Sequence, residues 1–223
     1  MPVPVRVLTY NVHGLRDDVA ALSTLVRSLK PDAVMVQEAP WRLRWRFRCA
    51  DLARRCGLLV ASGGQPALGN LIMVSQRLQV RRAWSVRFPL RPGHHLRGAA
   101  FAHCRVVGAE FIVVGSHLST DPTVRAEQAV QLRAAVEKLD GAVILGVDLN
   151  EPPGQPAYRE LVTAMTDAGG DSQTPTFSAT SPRRRIDMVF TAGPVRVRDY
   201  QVIDTPQARR ASDHLPVLAD LEV

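Results

Sequence analysis

Six short apolar runs, each of which ends in or encloses a polar side chain, constrain most strongly what this 223-residue chain can fold into. Runs of this length, rich in Val, Ile and Leu and bounded by turn residues, predict buried β-strands. A rigid scaffold often presents functional groups where its strands end. In chain order, the polar residues of these runs are Asn11, Glu38, His117, Asp148 with Asn150, Asp187, and Asp213 with His214.

Taken singly, most of these residues have an ordinary structural explanation. Asn11 fits a turn, Glu38 fits the exposed end of a strand, and Asp148 precedes a segment rich in turn formers. Asp187 is the exception, because apolar residues lie on both sides of it and its carboxylate is therefore expected to be buried and to need a partner. The recurrence of such residues along the whole chain favours one shared functional site.

Helical periodicity alternates with the predicted strands. Apolar residues recur at helical spacing in Val19–Leu29, which we expect Asp17 to cap, and in residues 41–56, 121–139 and 155–168. The middle of the chain carries predicted hairpin strands at 70–75, 79–87, 99–107 and 111–116. This order favours two packed sheets with helices on their outer faces, in a single domain that spans residues 1–223.

The composition leaves the partner open. The formal net charge is +7, and almost all of the positive charge comes from arginine, which grips phosphate bidentately and so fits a nucleic-acid partner. The arginine excess is equally typical of a GC-rich genome. Likewise, Trp41 and Trp45 with their arginine neighbours, and Arg183–Arg185, fit either base stacking with phosphate contacts or core tryptophans beside a solvated arginine face.

Other function classes are disfavoured by what the sequence lacks. No apolar run approaches the roughly 20 residues that cross a bilayer, so no membrane span is expected. The start of the chain has no secretory signal pattern, so we expect a cytoplasmic location. Three cysteines without Cys-x-x-Cys spacing indicate neither a disulfide framework nor a zinc site.

The motifs TYNVHG, VQEA, GSHL, GVDLNEPP, RRRIDMVF and SDHLPV together resemble, in order and approximate spacing, the endonuclease/exonuclease/phosphatase family. That family includes exonuclease III-like repair nucleases, deoxyribonuclease I, inositol polyphosphate phosphatases and bacterial sphingomyelinases. The resemblance extends from Asn11 to His214, and GNLIMVS and Arg125-x-x-Gln128 are also similar to bacterial members. It implies an α/β fold, a four-layered α/β sandwich of two packed mixed β-sheets flanked by helices, with the site at one edge of the sheets.

The resemblance also implies roles on the metal side of the site. Glu38 matches the family's main metal-binding carboxylate, Asn11 matches the asparagine that supports it, and Asp213 matches a second acidic residue near the metal. Carboxylate and amide oxygens are hard ligands, so the expected cofactor is Mg²⁺ or Mn²⁺. Asp148 and Asn150 match the pair that positions or deprotonates the attacking water and contacts the phosphate.

The remaining matches concern the phosphate. Asp187 matches the carboxylate that orients a histidine, here His214, and such a carboxylate stabilises the imidazolium. His117 matches a histidine that assists phosphate binding or leaving-group protonation. Arg97, in the run HHLRGAA, matches a phosphate-binding arginine more loosely. We therefore expect Arg97, Asn150, His117 and His214 to bind the substrate phosphate, whereas His13 and the pair His94-His95 have no assigned role.

Three functions are consistent with these residues. The first is a metal-dependent phosphoesterase that hydrolyses phosphodiester bonds in nucleic acid, a nuclease, by in-line attack of an activated water. The second is a phosphatase or phosphodiesterase for a small-molecule or lipid-headgroup phosphate ester, favoured by a chain with little room for long loops that grip duplex DNA. The third, a non-catalytic phosphate-ligand binding module, is disfavoured because all matched residues are retained. In each case we expect a monomer.

Overall fold

The structure, a computed structural model, describes residues 2–223, and its strands form two six-stranded mixed sheets. In the first sheet the strand order is β11-β12-β1-β2-β4-β3, with β1 and β2 parallel and the other neighbours antiparallel. Its strands are β1 (Pro4–Asn11), β2 (Ala33–Gln37), β3 (Leu59–Gly64), β4 (Asn70–Val74), β11 (Arg196–Val202) and β12 (Val217–Glu222).

The second sheet has the order β5-β6-β7-β8-β10-β9, in which only β7 and β8 are parallel. Its strands are β5 (Gln79–Arg87), β6 (Gly98–Val106), β7 (Ala109–His117), β8 (Ala142–Asp148), β9 (Thr166–Asp167) and β10 (Asp187–Ala192). In both sheets, therefore, a parallel pair lies at the centre and brings two carboxyl strand ends to the same edge.

Helices cover the outer face of each sheet. The helices are α1 (Val19–Leu29), α2 (Trp45–Cys56), α3 (Pro122–Val136), α4 (Pro156–Leu161) and α5 (Pro206–Ala211). Apolar side chains of α1, α2 and α5 pack on the first sheet, and those of α3 and α4 pack on the second. A third apolar cluster, which includes Met35, Ile72, Val113 and Ile144, fills the space between the sheets. The predicted α/β class and four-layered sandwich are confirmed.

Two glycines in the second sheet allow the sheets to approach closely near the functional edge. Gly115 and Gly146 are paired in register on β7 and β8. A Cβ added at Gly146 would lie 2.5 Å from Met35 Cε and 2.8 Å from Thr9 Cβ, whereas one at Gly115 would meet Met35 Cβ at 3.4 Å. Of these two glycines, Gly146 therefore occupies the position where any side chain would push the sheets apart.

The structure corrects several element boundaries. Asp18, not Asp17, caps α1, because its side chain accepts the amide hydrogen of Ala21 at 2.8 Å. The helix predicted over 41–56 begins only at Trp45, since Arg44 has a left-handed φ of 58° that a helix cannot contain. Residues 41–56 thus form a non-helical segment, which contains Trp41, followed by the helix α2.

The helix predicted over 155–168 is also wrong in its second half. Helix α4 ends at Leu161, and β9 pairs with β10 where Asp167 lies opposite Phe190. The Asp167 carboxylate accepts two hydrogen bonds from Arg185 at 2.7 and 2.8 Å, and this ion pair fixes the segment against the sheet. The strand β3 and the helix α5 were not predicted.

Within residues 2–223, no helix combines the length and the hydrophobicity needed to cross a membrane.

Candidate active site

Three predicted site residues lie side by side on neighbouring strands of the second sheet. His117 ends β7, Asp148 ends β8 and Asp187 begins β10. The parallel register pairs His117 with Asp148, and the antiparallel register pairs Asp187 with Asp148. All three side chains are buried, so the burial expected for Asp187 is confirmed. The sheet itself therefore sets the spacing of these groups, with Asp148 in the middle.

Asn11 links these three residues of the second sheet to the first sheet. It ends β1, opposite the last residue of β2, and Glu38 follows with a left-handed φ of 55°. The Asn11 Nδ2 group lies 2.9 Å from Asp148 Oδ2 and 3.3 Å from Glu38 Oε1, and it donates to both. Its Oδ1 accepts the amide hydrogen of His13 at 3.0 Å, which fixes the orientation of the amide. Asn11 thus bridges two carboxylates that belong to different sheets.

Asn150 connects Asp148 with His117. Its backbone amide donates to Asp148 Oδ1 at 2.9 Å, and its Nδ2 lies 2.9 Å from His117 Nε2 and 3.0 Å from the carbonyl oxygen of Leu118. The residue has a left-handed φ of 58°, a conformation that asparagine tolerates better than most residues. Together with Asn11, it leaves both oxygens of the Asp148 carboxylate hydrogen-bonded and fixed in direction.

The carboxylate of Asp187 holds the imidazole of His214. Its Nδ1 lies 2.9 Å from Asp187 Oδ2, and its Nε2 lies 3.9 Å from Asp148 Oδ2. The segment is positioned by Ser212, whose hydroxyl donates to the carbonyl oxygen of Asn11 at 2.7 Å. Phe177 packs against the imidazole, with ring centroids 4.7 Å apart. The histidine is therefore oriented by a carboxylate, a hydroxyl and an aromatic ring.

The two buried histidines have opposite electrostatic environments. Burial lowers the pKa of His214, but the charge and hydrogen bond of Asp187, together with the charge of Asp148, outweigh this effect and raise it to about 10. Burial lowers the pKa of His117 to about 3, and the positive charges of Arg97 and His214 act in the same direction against the attraction of Asp148. At neutral pH, His214 is therefore an imidazolium, whereas His117 is neutral.

Arg97 and Asp213 lie at the open side of the site. Arg97 immediately precedes β6, and burial lowers the pKa of its guanidinium against the opposing charges of Asp148 and Glu38. Its Nε is buried without a hydrogen-bond partner in residues 2–223. Asp213 is more open, with 38% of its side chain exposed and its Oδ1 3.8 Å from His13 Nδ1. All nine predicted residues therefore surround one region, while their individual roles stay predictions.

The family's sequence profile, described as the endonuclease/exonuclease/phosphatase family, matches residues 8–214. The chain belongs to this family. The match includes every residue of the constellation, and the predicted family membership is confirmed. The chain is accordingly a phosphoesterase of the endonuclease/exonuclease/phosphatase family. No curated protein matches the chain by sequence.

Solved structures of the family share this fold at low sequence identity. An endonuclease/exonuclease/phosphatase family protein from Bacteroides thetaiotaomicron is similar with a TM-score of 0.82 at 18% identity, covering 100% of this chain and 96% of that one. D. rerio TDP2, complexed with a single-strand DNA product, gives 0.80 at 17% identity and 99% of both chains. The mannosyl-6-phosphatase Bt3783 of Bacteroides thetaiotaomicron gives 0.79 at 18% identity, with 97% and 99% covered.

The family site contains a candidate divalent metal centre. Ligand atoms of Asp148, Asp187 and His214 lie within 4.8 Å of one another, and all three residues are buried. Asp148 and Asp187 supply carboxylate oxygens to this cluster, beside an imidazole nitrogen of His214. Glu38 adds a further carboxylate through the shared contact with Asn11. This donor set of oxygens fits a hard divalent cation.

A groove of about 860 Å³ opens beside the family site and contains residues to which the sequence gave no definite role. It begins at Glu38, Arg97 and His117. Its further lining includes Arg16, Trp41, Arg42, Arg48, His94 and His95. In the sequence, the alternation of tryptophan and arginine after Glu38 was the pattern that could have indicated these groove residues. Trp45, in contrast, packs against Gly64 and the core, so the two tryptophans have different surroundings.

The arginines of the run Arg183–Arg185 also have different surroundings. Arg185 is buried, and its guanidinium is committed to Asp167 and to the hydroxyl of Tyr200. Arg184 is exposed and lies 5.0 Å from the centroid of the Phe177 ring. Arg185 therefore has a structural partner, and only the other two arginines of the run are available to a ligand.

Proposed function

We propose that this phosphoesterase is a nuclease that hydrolyses phosphodiester bonds with Mg²⁺ or Mn²⁺ as cofactor. The observation that carries the proposal is the position of Asp148, which is buried between neutral His117 and charged His214. His117 in turn lines a groove that also contains four arginines. A polyanionic substrate fits such a groove, because several phosphates can contact arginine at once.

Asp148 is placed to activate the attacking water. Its carboxylate is fixed by donors from Asn11 and Asn150, so the direction of its remaining lone pairs is set before substrate arrives. The water would attack the phosphorus in line with the leaving oxygen while Asp148 takes up its proton. The positive charge of the neighbouring His214, whose Nε2 lies 3.9 Å from Asp148 Oδ2, attracts this carboxylate.

The remaining residues would bind the charged phosphate. The Nε2 side of His214 faces Asp148, and its positive charge can stabilise negative charge that develops on the non-bridging oxygens. Arg97 offers a buried guanidinium whose Nε is unpaired in the described structure, and phosphate oxygen would satisfy it. Asn150 and His117, joined by a hydrogen bond, can also contact the phosphate.

Glu38 is the residue that we expect to hold the metal, with Asp213 on the same open side and Asn11 orienting the carboxylate. A divalent cation would neutralise phosphate charge and stabilise the leaving oxygen. Glu38 fits this task because it lines the groove together with Arg97 and His117.

The comparison structures support two substrate classes. D. rerio TDP2 is complexed with single-strand DNA, which agrees with the arginine-lined groove and with a nucleic-acid substrate. The mannosyl-6-phosphatase has the same fold over nearly the whole chain, and it favours a small phosphate ester as the second candidate. The net charge of +7 supports the first class more strongly than the second.

The experiment compares hydrolysis of single-stranded DNA, RNA, plasmid DNA, bis-p-nitrophenyl phosphate and a panel of sugar phosphates, with Mg²⁺, Mn²⁺ or EDTA. Asp148→Asn and His214→Ala are the inactive controls, and circular dichroism checks their folding. Metal-dependent cleavage of nucleic acid that both substitutions abolish supports the nuclease. Turnover confined to sugar phosphates would transfer the assignment to the phosphatase, and no turnover would favour the binding module.

A further inference from the structure

We infer that Trp41 and Arg42 form a base-stacking platform that makes the groove selective for single-stranded over duplex nucleic acid. This inference rests on the proposed nuclease function and goes beyond it by naming the form of the substrate and a residue that determines it. Neither residue belongs to the six motifs of the family resemblance. The platform lies next to Glu38 along the groove.

Arginines outnumber carboxylates along the groove. Arg16, Arg42, Arg48 and Arg97 line it, and none of them forms an ion pair within residues 2–223. The acidic residue among the lining residues is Glu38, for which we propose a metal. Elsewhere arginines such as Arg133 and Arg209 are paired with carboxylates at 2.5–2.6 Å. Free guanidinium groups collected along one groove favour a chain of phosphates.

Trp41 is held in place and is partly exposed. The backbone of Gly69 lies against the indole, because a Cβ added there would be 3.2 Å from Trp41 Cδ1. The guanidinium of Arg42 lies 5.0 Å from the ring centroid, and this side chain is exposed. Arg42 can therefore move to a phosphate, or present its own plane to a base, without breaking an ion pair. Either arrangement gives an incoming base a flat surface.

Exposed residues of a second segment also line the groove. His94, His95, Leu90 and Leu96 are exposed and line the groove from the loop between β5 and β6. Arg91 anchors this loop to α3 by two hydrogen bonds of 2.7 Å to Glu127. A base must leave its own stack to lie on Trp41, which costs a single strand less free energy than it costs a duplex.

Binding can be measured in the Asp148→Asn background, where no cleavage competes. Fluorescence anisotropy with a labelled 12-nucleotide single strand of DNA, the same strand of RNA and the DNA duplex, at one fixed salt concentration, gives three dissociation constants per variant. We expect Trp41→Ala to weaken single-strand binding about 5- to 150-fold, as for the loss of one stacked base, and duplex binding by less than about twofold. Trp41→Phe should restore most of the single-strand affinity.

The matched control uses a second stacked arginine. Arg82 lies 5.0 Å from the centroid of Trp84, as Arg42 does from Trp41, but neither Arg82 nor Trp84 lines the groove. Arg82→Ala should leave all three dissociation constants unchanged, whereas Arg42→Ala should weaken binding of the single strands. Equal losses for both variants would show a general charge effect and overturn the inference.

The inference and the proposed function fail in different ways. Suppose that the active protein cleaves nucleic acid. If Trp41→Ala then binds single strands as tightly as the parent, or if its affinities for single strand and duplex fall equally, the platform is wrong and the proposed nuclease function stands. If the active protein neither binds nor cleaves any nucleic acid while it hydrolyses small esters, both are wrong.

Discussion

Asp187 and His214, 27 residues apart in the chain, form a buried pair in which the histidine Nδ1 lies 2.9 Å from the carboxylate. We predict that Asp187→Asn lowers the rate of hydrolysis by about 10²–10³-fold, because the imidazole loses both its orientation and its charge. Steady-state kinetics at saturating metal tests this. A loss below about tenfold, in a variant that folds normally, would mean that His214 acts without its carboxylate.

The same pair makes stability depend on pH. The pKa of His214 is raised to about 10 in the folded state, above its ordinary value of 6.5. Its stabilisation is therefore complete below about pH 6.5 and is lost as the pH rises through about 10. We expect the stability difference between the parent protein and Asp187→Asn to be largest at pH 6 and smallest at pH 10. Urea unfolding at pH 6, 8 and 10 measures it, and a difference that grows with pH would contradict the charged histidine.

Metal binding should stabilise the protein through Glu38. A ligand present at 100 times its dissociation constant stabilises the state that binds it by about 2.7 kcal/mol, so Mg²⁺ should raise the Tm and EDTA should reverse the rise. Glu38→Gln should keep the Tm measured in EDTA and lose the response to Mg²⁺. An unchanged response in this variant would place the metal at the buried carboxylates of Asp148 and Asp187 alone.

The contact between the sheets can be tested with two paired glycines. Gly146→Ala should lower the free energy of unfolding by about 1–3 kcal/mol, because the new methyl group would lie 2.5 Å from Met35 Cε. Gly115→Ala is the control, since its Cβ meets Met35 at an ordinary 3.4 Å. Alanine also restricts the unfolded chain, so this variant should be neutral or more stable by up to about 1 kcal/mol. Similar losses at both positions would refute the close approach at Gly146.

The buried ion pair of Arg185 predicts a stability effect without a substrate effect. Arg185→Ala leaves Asp167 charged and buried, so the free energy of unfolding should fall by about 3–5 kcal/mol. Arg183→Ala, at an exposed neighbour with no ion pair in the described residues, should change it by less than about 0.5 kcal/mol. Denaturant titration distinguishes the two. A small loss for Arg185→Ala would show that its carboxylate partner is not held in the interior.

Local pattern was sufficient for most of the strands. The strand β5 was predicted over the residues that the structure gives it, since its turns and β-forming residues are local signals. Predictions from local pattern were wrong where a contact between residues distant in the chain determined the secondary structure. The segment 155–168 has helical spacing, but β9 forms because Asp167 meets β10 and Arg185. The helix predicted from Trp41 begins only at Trp45, because Arg44 has a left-handed backbone that no periodicity reveals.

The sequence by itself determined the set of polar residues, their order and the strand ends that carry them, because these depend on local pattern and on side-chain chemistry. Only the tertiary structure decided how they meet. Strand register aligned His117, Asp148 and Asp187, and Asn11 joined them to Glu38 across two sheets. The opposite charge states of His117 and His214 depend on burial and on neighbours distant in the chain. These are properties of packing, which no single stretch of sequence contains.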